Sequence, residues 1–417
     1  MDSAAPWIFL ALVATVTWVS PLASVYLFVL ASPLGVVNDA VGWDPRARWA
    51  ILLCVRGAWE WWKTGITYVP SITAKIWVLF VAFAAVGLWV GAADLVPDDV
   101  SEAKSIFLGL VGGTAALYAI WQLIRTKREF EILIAVFAAS VVIASTVGIV
   151  QAVVGYGSAD ASGRITGPLR NANYFATYLA LAATTVALMI RSRVINRRYG
   201  YLVCALAALT CALTLSRTGT VAAVVGLSLA ASVRWHKRIL SLRVLGIMTA
   251  AGLVGVGLLT SYILESRRGI TYSADSTTQS FETIQAAEDL SRLEAFRYSV
   301  QLTGEHPLAG VGFGTFQSRN YAKNGLYVTT HNTVMQVLVG TGVLGGVLMV
   351  LVIICLIRPL PVPARRYLFP AAATFGICAL FGDYLQSLEI FVMFGVLYLS
   401  ARYLGQAERR NALTGDV

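Results

Sequence analysis

The sequence is poor in charged residues, and this scarcity excludes most soluble folds. Only 13% of its 417 residues are Asp, Glu, Lys or Arg, whereas 57% are hydrophobic. A soluble chain of ordinary composition carries about 25% charged residues. Apolar runs of about 18 residues or more recur along the whole chain, and such runs are typical of membrane-spanning helices. The composition therefore predicts an all-α, polytopic integral membrane protein.

Cysteine and histidine are also scarce, and the motifs of cofactor-dependent enzymes are missing. The five cysteines lie in apolar segments without CxxC spacing, so neither a disulfide framework nor a thiolate metal site is indicated. The glycine-rich stretch "GVGFG" (310–314) lacks the lysine and the strand–helix context of a phosphate-binding P-loop. We found no DxD motif or His/Asp cluster, so the sequence predicts no metal ion and no cofactor.

The net charge of +10 comes from short basic loops between apolar runs, and not from a nucleic-acid-binding surface. Membrane proteins keep such loops on the cytoplasmic side. We therefore predict no nucleic-acid partner and assign five basic segments to the cytoplasm. These segments are 125–129, 191–198, 234–238, 358–366 and 406–410.

The apolar runs divide the chain into about 12 spans and one long polar segment. The N-terminal run 7–37 is divided by Pro21 and is read as two short spans. Ten further spans are predicted at 73–92, 103–124, 130–153, 171–191, 199–214, 217–233, 240–263, 331–357, 366–382 and 385–403. The resulting domains are N-terminal transmembrane helices in 1–263, a large periplasmic loop in 264–330, and C-terminal transmembrane helices with a cytoplasmic tail in 331–417.

The long loop 264–330 contains a predicted helix with one apolar face. Leu290, Leu293, Phe296 and Val300 recur at helical spacing, and Pro307 is expected to end the helix.

The predicted topology places an unexpected group of cations on the non-cytoplasmic side, where arginine is normally depleted. Arg217 is the clearest case, because it lies alone in the short turn "LSRTG" between two spans. Simpler interpretations remain open: Arg217 can reach lipid phosphates, Arg292 can pair with Glu288, and His331 can simply begin a helix. The complete group is Arg164, Arg170, Arg217, Arg267, Arg268, Arg292, Arg297 and His331.

Several arginines and a histidine on one membrane face are typical of phosphate chemistry. Arginine forms bidentate hydrogen bonds to phosphate oxygens and remains charged. Histidine can accept a proton near neutral pH. This combination favours transfer from a lipid diphosphate donor to a hydroxyl acceptor without a metal.

Four motifs occur in an order that resembles the O-antigen ligase and O-antigen polymerase superfamily of bacterial envelope enzymes. They are "GRITGPLRNANYFATYLA", "LSRTG", "SRLEAFRYSVQLTGEHPLAGVGFGTF" and "HNTVMQVLVGTGVLG", and the resemblance covers about 160–346. It implies a GT-C-like fold in the bacterial inner membrane, with about 12 spans and the active site on the periplasmic face. It also implies an undecaprenyl-diphosphate-linked glycan donor, with lipid A-core or a growing glycan as the acceptor.

The resemblance also implies which residues act. Arg217, Arg292 and His331 match the family's catalytic positions. The residues expected to assist substrate binding are Arg164, Arg170, Asn173, Arg297 and Asn332.

Three alternatives to a ligase stay open from the sequence. A polymerase would extend a carrier-linked glycan, a flippase or transporter would move the lipid carrier, and an assembly factor would use the long loop as an adaptor. Transporters carry ionisable residues near the membrane midplane, whereas here Glu389 is the main charge inside a predicted span.

Overall fold

The computed structural model describes residues 5–35, 45–66, 71–154, 164–169, 171–232, 271–274 and 277–414. These ranges are helical apart from one short hairpin. The first half contains α1 (Ala5–Val19), α2 (Pro21–Ala31), α3 (Pro45–Thr64), α4 (Ser71–Gly91), α5 (Pro97–Leu123), α6 (Lys127–Val154), α7 (Ala172–Arg191), α8 (Arg197–Leu213) and α9 (Arg217–Ser232). The second half contains β1 (Thr271–Ala274), β2 (Thr277–Ser280), α10 (Phe281–Glu305), α11 (Phe316–Asn324), α12 (Thr333–Ile357), α13 (Val362–Ala379) and α14 (Leu388–Thr414).

Five described helices, α4, α5, α6, α7 and α12, are long and apolar enough to cross a membrane. The chain also breaks between α1 and α2 at Ser20, directly before Pro21, as the N-terminal run predicted. The predicted span 240–263 lies outside the described residues. The polytopic helical class is therefore supported, while the number of about 12 spans stays a prediction.

The segment 264–330 adds a feature that helical periodicity did not predict, an antiparallel hairpin in which Thr271 pairs with Ser280. The predicted helix of this segment is confirmed as α10, which ends at Glu305, two residues before Pro307. Its apolar stripe does not enter the protein core. The exposed fractions are 63% for Leu290, 48% for Leu293, 42% for Phe296 and 49% for Val300.

Helix α7 is the centre of the bundle and is buried on all sides. It packs against α8 and α9 on one flank and against α13 and α14 on the other. Small residues allow this close packing, as in other helix pairs inside membranes. At Gly226 of α9, a β-carbon would overlap the hydroxyl groups of Thr184 in α7 and Thr374 in α13, which are themselves hydrogen bonded at 3.2 Å.

The one acidic residue within a predicted C-terminal span has a structural partner. The Glu389 carboxylate lies 3.9 Å from the Arg46 guanidinium, and both side chains are about nine-tenths buried. Arg46 also donates a 2.7 Å hydrogen bond to the carbonyl of Ser32. A buried charge with such partners links α2, α3 and α14, so Glu389 is not isolated in an apolar environment.

A glycine-rich loop after α10 inserts into a break in α12. The N–H of Val311 donates to the Val339 carbonyl at 2.7 Å, and the N–H of Val343 donates to the Pro307 carbonyl at 2.8 Å. These bonds satisfy backbone groups that the helix leaves unpaired at Gly342, where φ is 62° and ψ is −167°. Essentially only glycine adopts this conformation.

The break predicts a large difference between two glycine variants. In Gly342→Ala, the new β-carbon would overlap the carbonyl group of Leu308 and lie 2.6 Å from the Ala309 nitrogen, in addition to the backbone strain. Gly325 has a similar φ of 68°, but a β-carbon there meets nothing within 4 Å. We expect Gly325→Ala to lower the free energy of unfolding by about 1 kcal/mol, because it adds only backbone strain. We expect Gly342→Ala to prevent folding or to lower the free energy of unfolding several times more. Thermal unfolding of the detergent-purified proteins measures both, and equal stability of the two variants would contradict the inserted-loop interpretation.

Candidate active site

Hydrogen bonds bring four separate parts of the chain together at one end of the bundle, where α7, α9 and α12 begin. We call this the site end. The Tyr174 hydroxyl donates to the Asp383 carbonyl at 2.6 Å, which joins α7 to the loop between α13 and α14. The Ser216 hydroxyl donates to the Asn173 side-chain oxygen at 3.0 Å, which joins α7 to the start of α9. The first turn of α7 therefore contacts both neighbouring segments.

The helix directions separate the site end from the basic loops. α7 runs from the site end to Arg191, and α12 runs from the site end to Ile357. The described basic loops 191–198 and 358–366 follow these two helix ends, so they lie at the opposite end of the bundle. The arginines and the histidine at the site end are thus a separate set from the cations of the basic loops.

A buried carboxylate holds the turn that contains His331. Asp383, which is 3% exposed, accepts hydrogen bonds from the Thr330 hydroxyl at 2.5 Å and from the Asn332 N–H at 2.8 Å. Its other oxygen accepts the His331 N–H at 3.2 Å. His331 has a φ of 49°, a left-handed conformation that costs a residue with a side chain about 1–3 kcal/mol. The three bonds from one carboxylate hold this strained turn in place.

The environment of His331 favours its neutral form. Burial lowers the pKa of His331 below its ordinary value of 6.5, the Asp383 carboxylate opposes this shift, and the Arg292 guanidinium reinforces it. Arg292 is half-buried on α10, more than 35 residues before the histidine in sequence. The fold therefore brings these two predicted residues within electrostatic reach of each other.

Arg164 and Asn173 anchor the start of α9, where Arg217 lies. The Arg164 guanidinium donates to the Thr214 carbonyl at 3.1 Å and to the Asn173 side-chain oxygen at 2.8 Å. Arg164 is 5% exposed, whereas Arg217 is the exposed first residue of α9. The buried arginine thus fixes the turn that precedes α9, and Arg217 is exposed at the first position of that helix.

The remaining predicted residues take different positions. Arg170, Arg267 and Arg268 lie outside the described residues. Arg297 is exposed on α10, five residues after Arg292. Asn332 caps α12, because its side-chain oxygen accepts the Met335 N–H at 3.0 Å and its amide donates to the Leu380 carbonyl at 3.0 Å. Its side chain therefore has structural partners on both polar atoms.

Two functional elements escaped the sequence analysis. The first is Asp383, whose signal is that it is the only charged residue between Arg366 and Glu389. The second is a chain of amides next to it: the Gln386 amide donates to the Tyr174 hydroxyl at 2.9 Å, and the Gln336 amide donates to Gln386. Neither glutamine belongs to a recognisable motif.

Metal-ligand groupings are not found in the described ranges, since no three His, Cys, Asp or Glu side chains come together there. The site end holds Arg217 at the start of α9, Arg292 within electrostatic reach of His331, and the amides of Gln336 and Gln386. Such groups can bind a phosphate ester and accept a proton.

Comparison with known proteins gives one match. Residues 202–350 match the model of a protein family described as O-antigen ligase. The matched segment contains Arg217, Arg292 and His331, and it confirms the resemblance to the O-antigen ligase and polymerase superfamily. Together with the apolar helices, it indicates a multi-pass membrane protein with a ligase- or polymerase-type activity. No curated protein and no solved structure matches the chain.

The Asp383 contacts predict a specific loss of stability. Asp383→Asn keeps one acceptor oxygen but turns an amide N–H₂ toward a backbone N–H, so one hydrogen bond becomes a repulsive contact. We expect a loss of about 1–3 kcal/mol in the free energy of unfolding. Asp98→Asn, at an exposed carboxylate in the first turn of α5, is the matched control and should cost no more than about 1 kcal/mol. Equal losses in the two variants would show that the carboxylate does not hold the turn.

Proposed function

We propose that this protein is a membrane glycosyltransferase of the O-antigen ligase type. It moves a polysaccharide from undecaprenyl diphosphate to a hydroxyl group of an acceptor such as lipid A-core. The observation that carries the proposal is the convergence of Arg292 and the carboxylate-held His331, in a segment that matches the ligase family. Arg217 begins a helix at the same end of the bundle.

The two arginines would bind the diphosphate of the donor. As the bond between the sugar and the diphosphate breaks, negative charge grows on the leaving oxygen, and guanidinium groups stabilise that charge. Arg217 is exposed at the N-terminus of α9, where backbone N–H groups also favour an anion. Arg292 approaches from α10, so the diphosphate would be held from two sides.

His331 would act as the general base. Its pKa is lowered, so the imidazole is neutral near pH 7 and can accept the proton of the acceptor hydroxyl. The acceptor oxygen then attacks the anomeric carbon, a new C–O bond forms, and the bond to the diphosphate breaks on the opposite face. A single displacement of this kind inverts the anomeric configuration and returns undecaprenyl diphosphate.

An apolar groove beneath the site suits the lipid part of the donor. It has a volume of about 330 Å³ between α5, α12, α13 and α14, and it reaches from Tyr384 and Leu385, next to Asp383, to Ile357 at the other end of the bundle. Van der Waals packing against these side chains would favour a hydrocarbon chain there, because lipid tails give no hydrophobic driving force inside a membrane. A prenyl chain in this groove would leave its diphosphate at the site end.

The same proposal includes the membrane topology and the reaction conditions. The site end would face the periplasm from the inner membrane, with about 12 GT-C-like spans and 264–330 as the large periplasmic loop. The separation of the site end from the basic loops supports this orientation. The reaction would need no metal ion, because two guanidinium groups supply the charge that a metal would otherwise contribute.

Alanine variants of the three catalytic residues test the proposal. Arg217→Ala, Arg292→Ala and His331→Ala should each lower transfer by about 100- to 1000-fold, the typical effect of removing a transition-state donor or base. Arg128→Ala, an exposed arginine at the opposite end of the bundle, is the control and should retain full activity. The assay is transfer from undecaprenyl-diphosphate-linked glycan in vesicles with a chelator present. Full transfer activity in the three folded variants would refute the mechanism. A product in which the carrier-linked glycan is lengthened would identify the activity as that of a polymerase rather than a ligase.

The lowered pKa of His331 predicts the acid limb of the pH profile. A neutral base is active above its pKa and is lost as the pH falls through it, so the midpoint of kcat/KM should lie below 6.5. Arg292→Gln removes a positive charge that lowers this pKa, so its residual activity should fall at a higher pH than that of the wild type. A midpoint above 6.5, or one that Arg292→Gln does not move, would contradict the role of His331 as the base.

A further inference from the structure

A second apolar groove opens on the outer surface of the bundle between α3, α4 and α5. It has a volume of about 480 Å³, within the range of roughly 300–1,000 Å³ that is typical of ligand-binding pockets. Its walls are almost entirely apolar and include Ala58, Val78, Val81, Ala82, Val111 and Leu117. Val78 and Ala82 are exposed, so a hydrocarbon chain can enter the groove directly from the surrounding lipid.

The groove lies toward the end of the bundle opposite the site end. Gly87, near the end of α4, packs against Gly340, near the start of α12. Trp77, near the start of α4, lines the groove proposed for the donor lipid together with Ile353, near the end of α12. The first turns of α4 therefore lie where α12 ends and the basic loop 358–366 follows. We call this the basic end.

Three polar side chains that line the groove have no hydrogen-bond partner in the part of the chain that the structure describes. They are the hydroxyl of Thr73, which is 2% exposed, the indole N–H of Trp77 and the hydroxyl of Tyr118. At 1.5 Å per residue, Thr73 and Trp77 lie about 3 and 9 Å from the start of α4, and Tyr118 lies about 8 Å from the end of α5. All three are thus at a similar depth, near the basic end.

The donors and their depth indicate an ester-linked lipid. An indole N–H can only donate, so its partner must be an acceptor oxygen. A depth of a few Å corresponds to the boundary between the hydrocarbon core and the interfacial region of a bilayer. The ester oxygens of a phospholipid lie at this boundary, directly above the acyl chains. A prenyl chain has no oxygen at this level and would leave all three donors unpaired.

The basic end of the groove also favours an anionic headgroup. The halves of α3, α4 and α5 at this end contain Arg56, Lys63 and Lys75, but only one acidic residue, Glu60. Glu60 pairs with Arg56 and, at 3.5 Å, with Arg125. Lys75 is exposed and forms no ion pair with a described residue. It lies three residues before Val78, on the same side of α4, and basic residues at this level attract anionic lipids.

We propose that this groove is a binding site for an anionic diacyl phospholipid, phosphatidylglycerol, from the leaflet at the basic end. One acyl chain would lie in the groove, and the ester oxygens would accept hydrogen bonds from Thr73, Trp77 and Tyr118. Lys75 would contact the headgroup phosphate. In the proposed orientation this is the cytoplasmic leaflet, so the site is separate from the donor site and does not depend on the proposed function.

Native mass spectrometry of the full-length, detergent-purified protein tests this site without turnover. The probes are dioleoyl phosphatidylglycerol, dioleoyl phosphatidylethanolamine and farnesyl diphosphate. We expect the wild type to bind phosphatidylglycerol about fivefold more tightly than phosphatidylethanolamine, the effect of one basic residue near a lipid headgroup. Lys75→Gln should remove this preference.

Two further variants test the position of the lipid. Tyr118→Phe removes a hydroxyl that no described residue uses, so the fold should be retained while binding weakens about fivefold, the effect of one lost hydrogen bond. Ala82→Phe places a ring in the groove from an exposed position and should weaken binding by about tenfold or more, because the ring and the acyl chain compete for the same space.

Each variant has a matched control. Tyr201→Phe removes an exposed hydroxyl near the basic end of α8, and Val90→Phe adds a ring at an exposed position of α4 away from the groove. Both should bind phosphatidylglycerol like the wild type.

Four results would overturn the proposal. They are equal binding of the two phospholipids, unchanged binding in Tyr118→Phe or Ala82→Phe, an equal loss in the controls, and release of phosphatidylglycerol by farnesyl diphosphate, which would assign the groove to the donor. Arg217→Ala should bind phosphatidylglycerol like the wild type, so a failure of glycan transfer and a failure of this site are separate outcomes.

Discussion

The structure of the site end depends on one interaction, the hydrogen bonding of the His331 turn to the Asp383 carboxylate. A left-handed residue with a side chain is strained, and a buried carboxylate is costly unless hydrogen bonds compensate it. Here the strained turn and the buried carboxylate stabilise each other. Three donors of the turn form hydrogen bonds to the two oxygens of Asp383. The strained turn therefore persists in the folded protein, and the Arg292 charge acts on the imidazole of its central residue.

The first turn of α7 extends this interaction to the rest of the site end. The side-chain oxygen of Asn173 accepts hydrogen bonds from Arg164 and Ser216, and these bonds fix the turn before Arg217. The hydroxyl of the next residue, Tyr174, donates a hydrogen bond to the Asp383 carbonyl and accepts one from the Gln386 amide. Two consecutive side chains at the start of α7, a largely buried helix, thus connect the turn before α9 with the loop that contains Asp383.

The sequence predicted those parts of the molecule that follow from local pattern. Hydropathy predicted most of the described helices, because a helix in an apolar environment must satisfy its own backbone bonds. Motif order predicted the resemblance to the O-antigen ligase and polymerase superfamily, and residues 202–350 match the ligase family model. The roles of Arg217, Arg292 and His331 stay a prediction. The outward position of the α10 stripe was not predictable, because periodicity defines a face and not what covers it.

Local sequence patterns do not predict which polar side chains form hydrogen bonds across long separations in the chain. Asp383 accepts a hydrogen bond from His331, about 50 positions earlier, and Gln386 donates a hydrogen bond to Tyr174, more than 200 positions earlier. Neither contact leaves a periodic or spaced signal in one sequence. The break of α12 at Gly342 was hidden for the same reason, since the loop that fills it comes from the preceding segment. Only the isolation of Asp383 in an otherwise uncharged stretch indicated a special residue.

The most direct measurement of the central claim is a cryo-electron microscopy structure of the full-length protein in lipid nanodiscs with farnesyl diphosphate. The account predicts diphosphate density within hydrogen-bonding distance of the Arg217 and Arg292 guanidinium groups, beside a His331 turn still bonded to Asp383. The prenyl chain should enter the apolar groove below Tyr384. Diphosphate density away from both arginines, or a His331 turn released from Asp383, would contradict the account.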